Sequence, residues 1–400
     1  MGKTALKFNN NVITKKGRKS LGYLFDYSIT IVFVVTFYVL VNFIGSSLEG
    51  VKTIRNNVSN SQQNLYAFVE KTGLGEINKN GKLKDDSTIA DEFVKKTVYY
   101  TLKEIEGKTD VEISYSSYKD VEPITPETDH LYTYYVTYKP NNLYLYSSLD
   151  DEKKLQTGLN YYLNEILNNN INEYFEETDY PYIKQDIADK IDNYFRDDNY
   201  SIGKNAYNII YNAYYKAMIK AIDEVVTYND SYIKINTVFE ESRIALFNIQ
   251  VLEISISYVL AFTCSYILPI AIFKYGRTFG FRVLKLVFTR IDGEKPRISN
   301  MVVRGVIQLA AQYFVIDLFC LLLFGVSGVY IIMHQFAFGI SIFYVSIFSV
   351  LLTICSFILM LINKQYSQTI SEFIGKLICK DTSEFIVIEG KNGNDKNNNK

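Results

Sequence analysis

Four apolar windows, Leu21–Ile44, Val251–Phe273, Val306–Met333 and Gly339–Ile362, constrain this chain more than any other feature. Each is long enough to cross a bilayer, which takes about 20 helical residues. Core helices of soluble proteins also contain apolar runs, but four of this length with charged flanks predict a polytopic α-helical membrane protein with four transmembrane helices. The windows divide the chain into a basic N-terminus (1–20), a first span (21–44), a long insertion (45–250), a second span (251–273) and a basic loop (274–305). The third span (306–333), the fourth span (339–362), a C-terminal element (363–390) and a polar tail (391–400) follow. The tail, KNGNDKNNNK, has no apolar residue and reads as disordered.

Lys and Arg concentrate on the cytoplasmic side of membrane proteins, and here they set the expected orientation. Residues 1–20 carry Lys3, Lys7, Lys15, Lys16, Arg18 and Lys19 and no acidic residue. The 274–305 loop is likewise basic, against only Asp292 and Glu294. The 45–250 insertion holds 22 basic and 33 acidic residues, a net charge of −11. Both termini and the loop are therefore expected inside, and the insertion outside. The basic start also resembles the n-region of a signal peptide. Its apolar stretch is too long for one, and Asp26 would be out of place there, so the first span reads as an uncleaved anchor.

The insertion is large enough for a domain of its own, and its cysteine-free sequence excludes disulfides. Ser61–Lys71, Ser87–Glu106, Asp151–Phe175, Tyr182–Phe195 and Lys204–Val226 read as helices, with Ser87 as a cap. Val111–Tyr118 and Leu131–Lys139 alternate and are rich in β-branched and aromatic residues, so they read as strands. Tyr232–Asn248 leads into the second span as a strand or a helix. The expectation is an extracytoplasmic α+β domain. Its many tyrosines offer a sticky surface for a glycan or a partner protein. Their abundance beside Asn, Lys and Ile, with no Trp, also fits plain compositional bias and core packing.

The segment FKYGRTFGFRVLKLVFTRIDGEKPRISNMVVRGVIQL, from Phe273 to Leu309, is basic and punctuated by glycine. Its Gly276, Thr278, Gly280, Asp292, Gly293, Pro296 and Arg304 resemble a signature segment of the RDD family of bacterial membrane proteins. Arg18 before the first span and Asp26 inside it match the family's N-terminal residues. Near the end, QTISEFIGKLICKDTSEFIVIEG resembles its closing element, with Glu372 where Asp is usual and Lys376 where a small residue is common. The resemblance covers residues 15–45 and 250–390 and says nothing of the insertion. It implies a bacterial plasma-membrane protein without catalytic chemistry, one that transports an unidentified ligand or cation.

Ionisable groups within spans are costly, about 2.5–3.5 kcal/mol for Asp, and mark ion paths or structural polar contacts. Asp26 and Asp317 are the candidates, and Glu253 lies near the outer edge of the second span. Arg18 and Asp26 sit eight residues apart, about 12 Å along a helix and about 80° around it, which argues against a direct pair. Arg18 is instead expected to meet Glu372 or a lipid phosphate. Asp26 is expected to meet a polar group of another helix, with Arg304 as the basic candidate. Residues 277–290 read either as a membrane-surface element, with Arg282, Lys285 and Arg290 toward lipid, or as a strand. In the second case Leu284–Thr289 would pair with Glu384–Ile388 after an Asp292-Gly293 turn. Pro269 should bend the second span, and Gly325 and Gly328 permit close packing in the third.

No C-x-x-C pair occurs, and His130 and His334 are isolated, so neither a metal nor another cofactor is expected, nor an enzyme. The expected partners are membrane lipids, further copies of the chain if it transports, and a protein or glycan facing the exported domain. Nucleic acid is not expected. The competing function class is a non-transporting anchor that presents the exported domain.

Overall fold

A computed structural model describes residues 6–8, 14–108, 117–118, 121–167, 173–176, 180, 182–323, 335–336, 340–363, 366–382 and 385–387. It is mostly helical. In chain order the main elements are β1 (Leu6–Phe8), α1 (Lys16–Ser47), α2 (Glu49–Lys71), α3 (Asp86–Tyr100), α4 (Gln185–Arg196), α5 (Ser201–Tyr228) and α6 (Asp230–Phe262). They continue with α7 (Phe279–Val283), β2 (Leu286–Arg290), α8 (Ile298–Leu323), β3 (Gln335–Phe336), β4 (Ile340–Ser341), α9 (Ile342–Ile362), α10 (Ile370–Ile374), β5 (Leu377–Asp381) and β6 (Phe385–Val387). The chain forms two units, one of Met1–Ile54 with Ile244–Lys400 and one of Arg55–Arg243.

Three helical stretches are long and apolar enough to cross a membrane, Lys16–Ser47, Asp230–Ile272 and Phe343–Ile362, which marks a membrane protein. The burial pattern of α1 points the same way. Lys19, Gly22, Tyr23, Asp26, Thr30 and Val34 face inward at helical spacing, while Leu24, Phe25, Val32, Val39 and Phe43 are exposed. A helix in water hides its apolar stripe. Here the small and polar residues touch protein and the apolar ones point out, as suits a hydrocarbon solvent. Helix α6 continues to Ile272 through a π-helical turn, Thr263–Ile267, which ends two residues before Pro269, whose nitrogen has no hydrogen to give the preceding turn.

The window at Val306–Met333 falls on α8 as far as Leu323, and residues 324–333, including Gly325 and Gly328, lie outside the described residues. Helix α8 packs along α9 through hydroxyls. Ser349 donates to the Ala310 carbonyl at 3.2 Å, and Thr353 donates to that of Ala311 at 3.3 Å. Such small residues let two helices approach closely.

Beyond the spans, β2 and β5 form an antiparallel pair running from Leu286–Asp381 to Arg290–Leu377. This corrects the expected partner of the loop strand, which was Glu384–Ile388. Phe385–Val387 pairs instead with Leu6–Phe8 at the N-terminus. Strand β5 is buried along its length, Lys380 and Asp381 included, so its charges disguised a core strand.

Among the described residues the Arg55–Arg243 unit is helical, with β structure limited to the isolated bridges Ile77–Leu83 and Phe175–Ile183. Of the two strands expected in it, one is corrected and the other falls almost wholly outside the described residues. Leu131–Lys139 is not a strand but a turn of helix, His130–Tyr132, followed by the π-helical Thr133–Tyr138. Asp129 starts it by accepting the N–H groups of Leu131 and Tyr132 at 3.1 and 3.2 Å. Leu131, Tyr134, Tyr135 and Tyr138 are the buried residues, at i, i+3, i+4 and i+7. The expected strand Val111–Tyr118 lies outside the described residues but for its last two. Helix α3 is capped at Asp85 rather than Ser87, without a side-chain bond. Asp151–Phe175 is broken into short helical pieces, Asp151–Lys154, Gly158–Tyr161 and the π-helical Tyr162–Ile166. Tyr232–Asn248 lies within α6.

Many tyrosines of this unit serve its core. Tyr134, Tyr135, Tyr162 and Tyr214 are buried, and Tyr214 stacks on Phe93 with centroids 3.7 Å apart. The buried Asp129 carboxylate accepts the hydroxyls of Tyr214 at 2.8 Å, Tyr180 at 3.0 Å and Tyr162. Burial, with Asp129 alongside, pushes all three phenols well above their ordinary range.

Candidate functional site

The residues singled out in the loop and the first span converge within one unit. Thr278 is the N-cap residue of α7, yet its hydroxyl does not accept from the helix. It donates to Asp26 Oδ2, and the Gly280 backbone N–H donates to Asp26 Oδ1 at 2.7 Å. The carboxylate of α1 therefore caps another helix, satisfying a free N–H and sitting at the positive end of the peptide dipoles. Glycine at 280 is a steric requirement, because a Cβ there would lie 2.3 Å from the Gly22 carbonyl oxygen. Gly276, at φ +62°, faces Met301 just as tightly. Asp26 is held by a polar group of another element, as its cost in hydrocarbon demands, though the donor is not Arg304.

Arg304 is buried on α8 and enclosed by aromatic rings. Its guanidinium carbon lies 3.7 Å from the Phe288 centroid, 5.3 Å from Tyr266, 5.4 Å from Phe281 and 5.9 Å from Tyr23. A planar, weakly hydrated cation is suited to such a cage. Among the described residues none accepts a hydrogen bond from its nitrogens.

Glu372 sits in the first turn of α10, in a capping box with Thr369. Its carboxylate pairs with Lys19 and accepts the Tyr23 hydroxyl at 2.5 Å and the Thr369 N–H at 3.1 Å. Arg18 was expected to meet Glu372 or a lipid phosphate, and Glu372 is met instead by Lys19, one residue on. Arg18 pairs with Asp381 at the end of β5. One helical position is about 100° of rotation, and Lys19 shares the inward face of Tyr23 and Asp26.

Asp292 and Gly293 do not join this cluster. They form the turn after β2, where Arg290 bridges Asp292 and Glu294, each at 2.9 Å, and Gly293 adopts φ +80°. Arg282 stacks on Phe273 at 4.0 Å. Asp317 lies on α8, its side chain outside the described residues. Glu253 is buried and accepts from Asn42 at 3.0 Å. Lys19, Tyr23, Phe281, Phe288 and Asp381 escaped the sequence reading. The spacing 19, 22, 23, 26, 30 on α1 was the available signal.

Among the described residues no cluster of His, Cys, Asp and Glu could hold a metal ion. What the arrangement does is lock the N-terminal helix, the loop and the C-terminal element together through buried charges. No family model matches the chain, and no curated protein or solved structure matches it.

Proposed function

We propose that this chain is an RDD-like, four-span protein of the bacterial plasma membrane that anchors and presents its Arg55–Arg243 domain without transporting. The termini and the 274–305 loop face the cytoplasm, following the Lys and Arg distribution, and the acidic insertion faces outward. Helix α8 is the remaining span, packed on α9.

One observation carries the choice of class. Each described acid of the spanning bundle and its cytoplasmic edge is committed to a fixed donor: Asp26 to Thr278 and Gly280, Glu253 to Asn42, Glu372 to Lys19 and Tyr23. An ion path needs acids that exchange partners. These hold the bundle in one arrangement. The partner of the presented domain is a protein or a wall polymer, met by the half-buried Tyr207, Tyr211 and Tyr215, which stack along α5 at centroid spacings of 5.8 and 5.9 Å.

The second reading, transport of an unidentified ligand or cation through an oligomer, rests on Asp317 in the third span. Cation flux in proteoliposomes separates the two. The anchor reading expects flux equal to that of empty vesicles for the wild type. It expects Asp26→Asn to lower stability. Flux that Asp26→Asn abolishes in a still-folded protein overturns it.

A further inference from the structure

A groove of about 780 Å³ runs between the second span and the start of α8. Phe262, Ile267, Ile270, Val302, Val306 and Leu309 supply apolar walls along it, and Lys274 and Lys295, both from the loop, line it as well. Both lysines are exposed, and among the described residues neither forms an ion pair. Beside Lys274, Arg277 Nε donates to the Lys274 carbonyl at 3.1 Å.

The dimensions match one kind of occupant. On α8 the lining runs from Ile298 to Leu309, and on the second span from Val259 to Ile272. At 1.5 Å per residue these are depths of about 16 and 20 Å. One leaflet contributes about 15 Å of hydrocarbon, half the bilayer core. The groove thus reaches from headgroup level to the bilayer middle, with its two cations at the headgroup end and mostly apolar walls below, Thr263 and Tyr266 being the polar exceptions.

We propose that this groove holds one anionic glycerophospholipid of the loop-side leaflet, its acyl chains against α6 and α8 and its phosphate between Lys274 and Lys295. A neutral zwitterionic lipid would fit the walls but bring its own cation to the two lysines. The inference rests on the membrane-spanning reading of α6 and α8, and it names a lipid that this bundle selects.

The experiment compares full-length wild type, Lys274→Glu/Lys295→Glu and Val306→Trp. Each is reconstituted into mixed phosphatidylglycerol and phosphatidylcholine vesicles, floated on a density gradient, then extracted for native mass spectrometry. Flotation of all three tests membrane insertion separately from selectivity. The wild type should retain one phosphatidylglycerol in preference to phosphatidylcholine. The charge-reversed variant should lose about tenfold of that preference, from the removal of two phosphate contacts at a charged surface. Val306→Trp should lose retention of either lipid by filling the groove. Equal retention of both lipids by wild type, or a preference unchanged in both variants, overturns the proposal. Disulfide cross-linking of two copies through Val306→Cys, with no lipid retained, overturns it in favour of a self-interface.

Discussion

Asp26 and Gly280 are 254 residues apart in the chain, and the carboxylate of the first accepts the backbone N–H of the second at 2.7 Å. The contact requires glycine, since the Gly22 carbonyl occupies the space of any Cβ. Gly280→Ala should therefore separate α7 from α1 and cost about 1–3 kcal/mol, the usual cost of overpacking. Asp26→Asn should cost about 1.5–3 kcal/mol through loss of a charge-assisted bond. Thermal unfolding in detergent, with proteolysis of the 274–296 loop, reads both. Wild-type loop protection in Gly280→Ala would refute the close approach.

Lys19 and Glu372 form a fully buried ion pair. Removing one partner strands a charge, which costs about 3–5 kcal/mol. Lys19→Met and Glu372→Gln should each lower the midpoint of unfolding strongly, and the double variant should recover much of the loss. Additive losses in this double-mutant cycle would argue against the pair.

Arg304 is enclosed by rings, and among the described residues no acid accepts a hydrogen bond from it. Arg304→Lys keeps the charge but loses stacking and brings a more strongly hydrated ammonium. It should destabilise the protein by about 2 kcal/mol, the worth of a desolvated cation–π contact. Arg18→Lys, which only exchanges one cation for another beside Asp381, should change little. Equal effects on melting temperature would contradict the aromatic cage.

His130 donates from Nδ1 to the Gly73 carbonyl at 2.6 Å, and burial depresses its pKa below the ordinary value. The unfolded chain, with His near pKa 6.5, then binds a proton before the folded one does. Stability from this group is present above about pH 6.5 and is lost as pH falls below it. Melting of the wild type should drop between pH 7 and pH 5 by more than that of His130→Gln. Identical pH profiles would remove His130 as the cause.

Burial in β5 pushes the Cys379 thiol up to about 12. In a variant retaining only Cys379, a water-soluble maleimide should fail to label the folded protein at pH 7.5 and label it fully in denaturant. Rapid labelling of the native form would show that β2 and β5 do not stay paired.

Several features were legible in the sequence because they are local. A run of about 20 apolar residues reports a membrane span wherever it packs. The bond-forming face of α1 was also available, since Lys19, Tyr23, Asp26 and Thr30 repeat at three, four and seven residues. The same periodicity in Leu131, Tyr134, Tyr135 and Tyr138 was hidden by β-branched neighbours, because strand preference records packing more than backbone geometry.

By itself, then, the sequence determined the apolar spans, the basic loop and the residue types that converge near Asp26. Those properties are carried by each segment alone. Only the tertiary structure decided that Lys19 rather than Arg18 meets Glu372, that β5 rather than β6 pairs with β2, and that aromatic rings enclose the Arg304 guanidinium. The reason is physical: every cation attracts every acid in sequence, and several strands can pair with a given edge. Which contacts form depends on rotation about a helix axis and on what else fills the same space, and neither is a property of one segment.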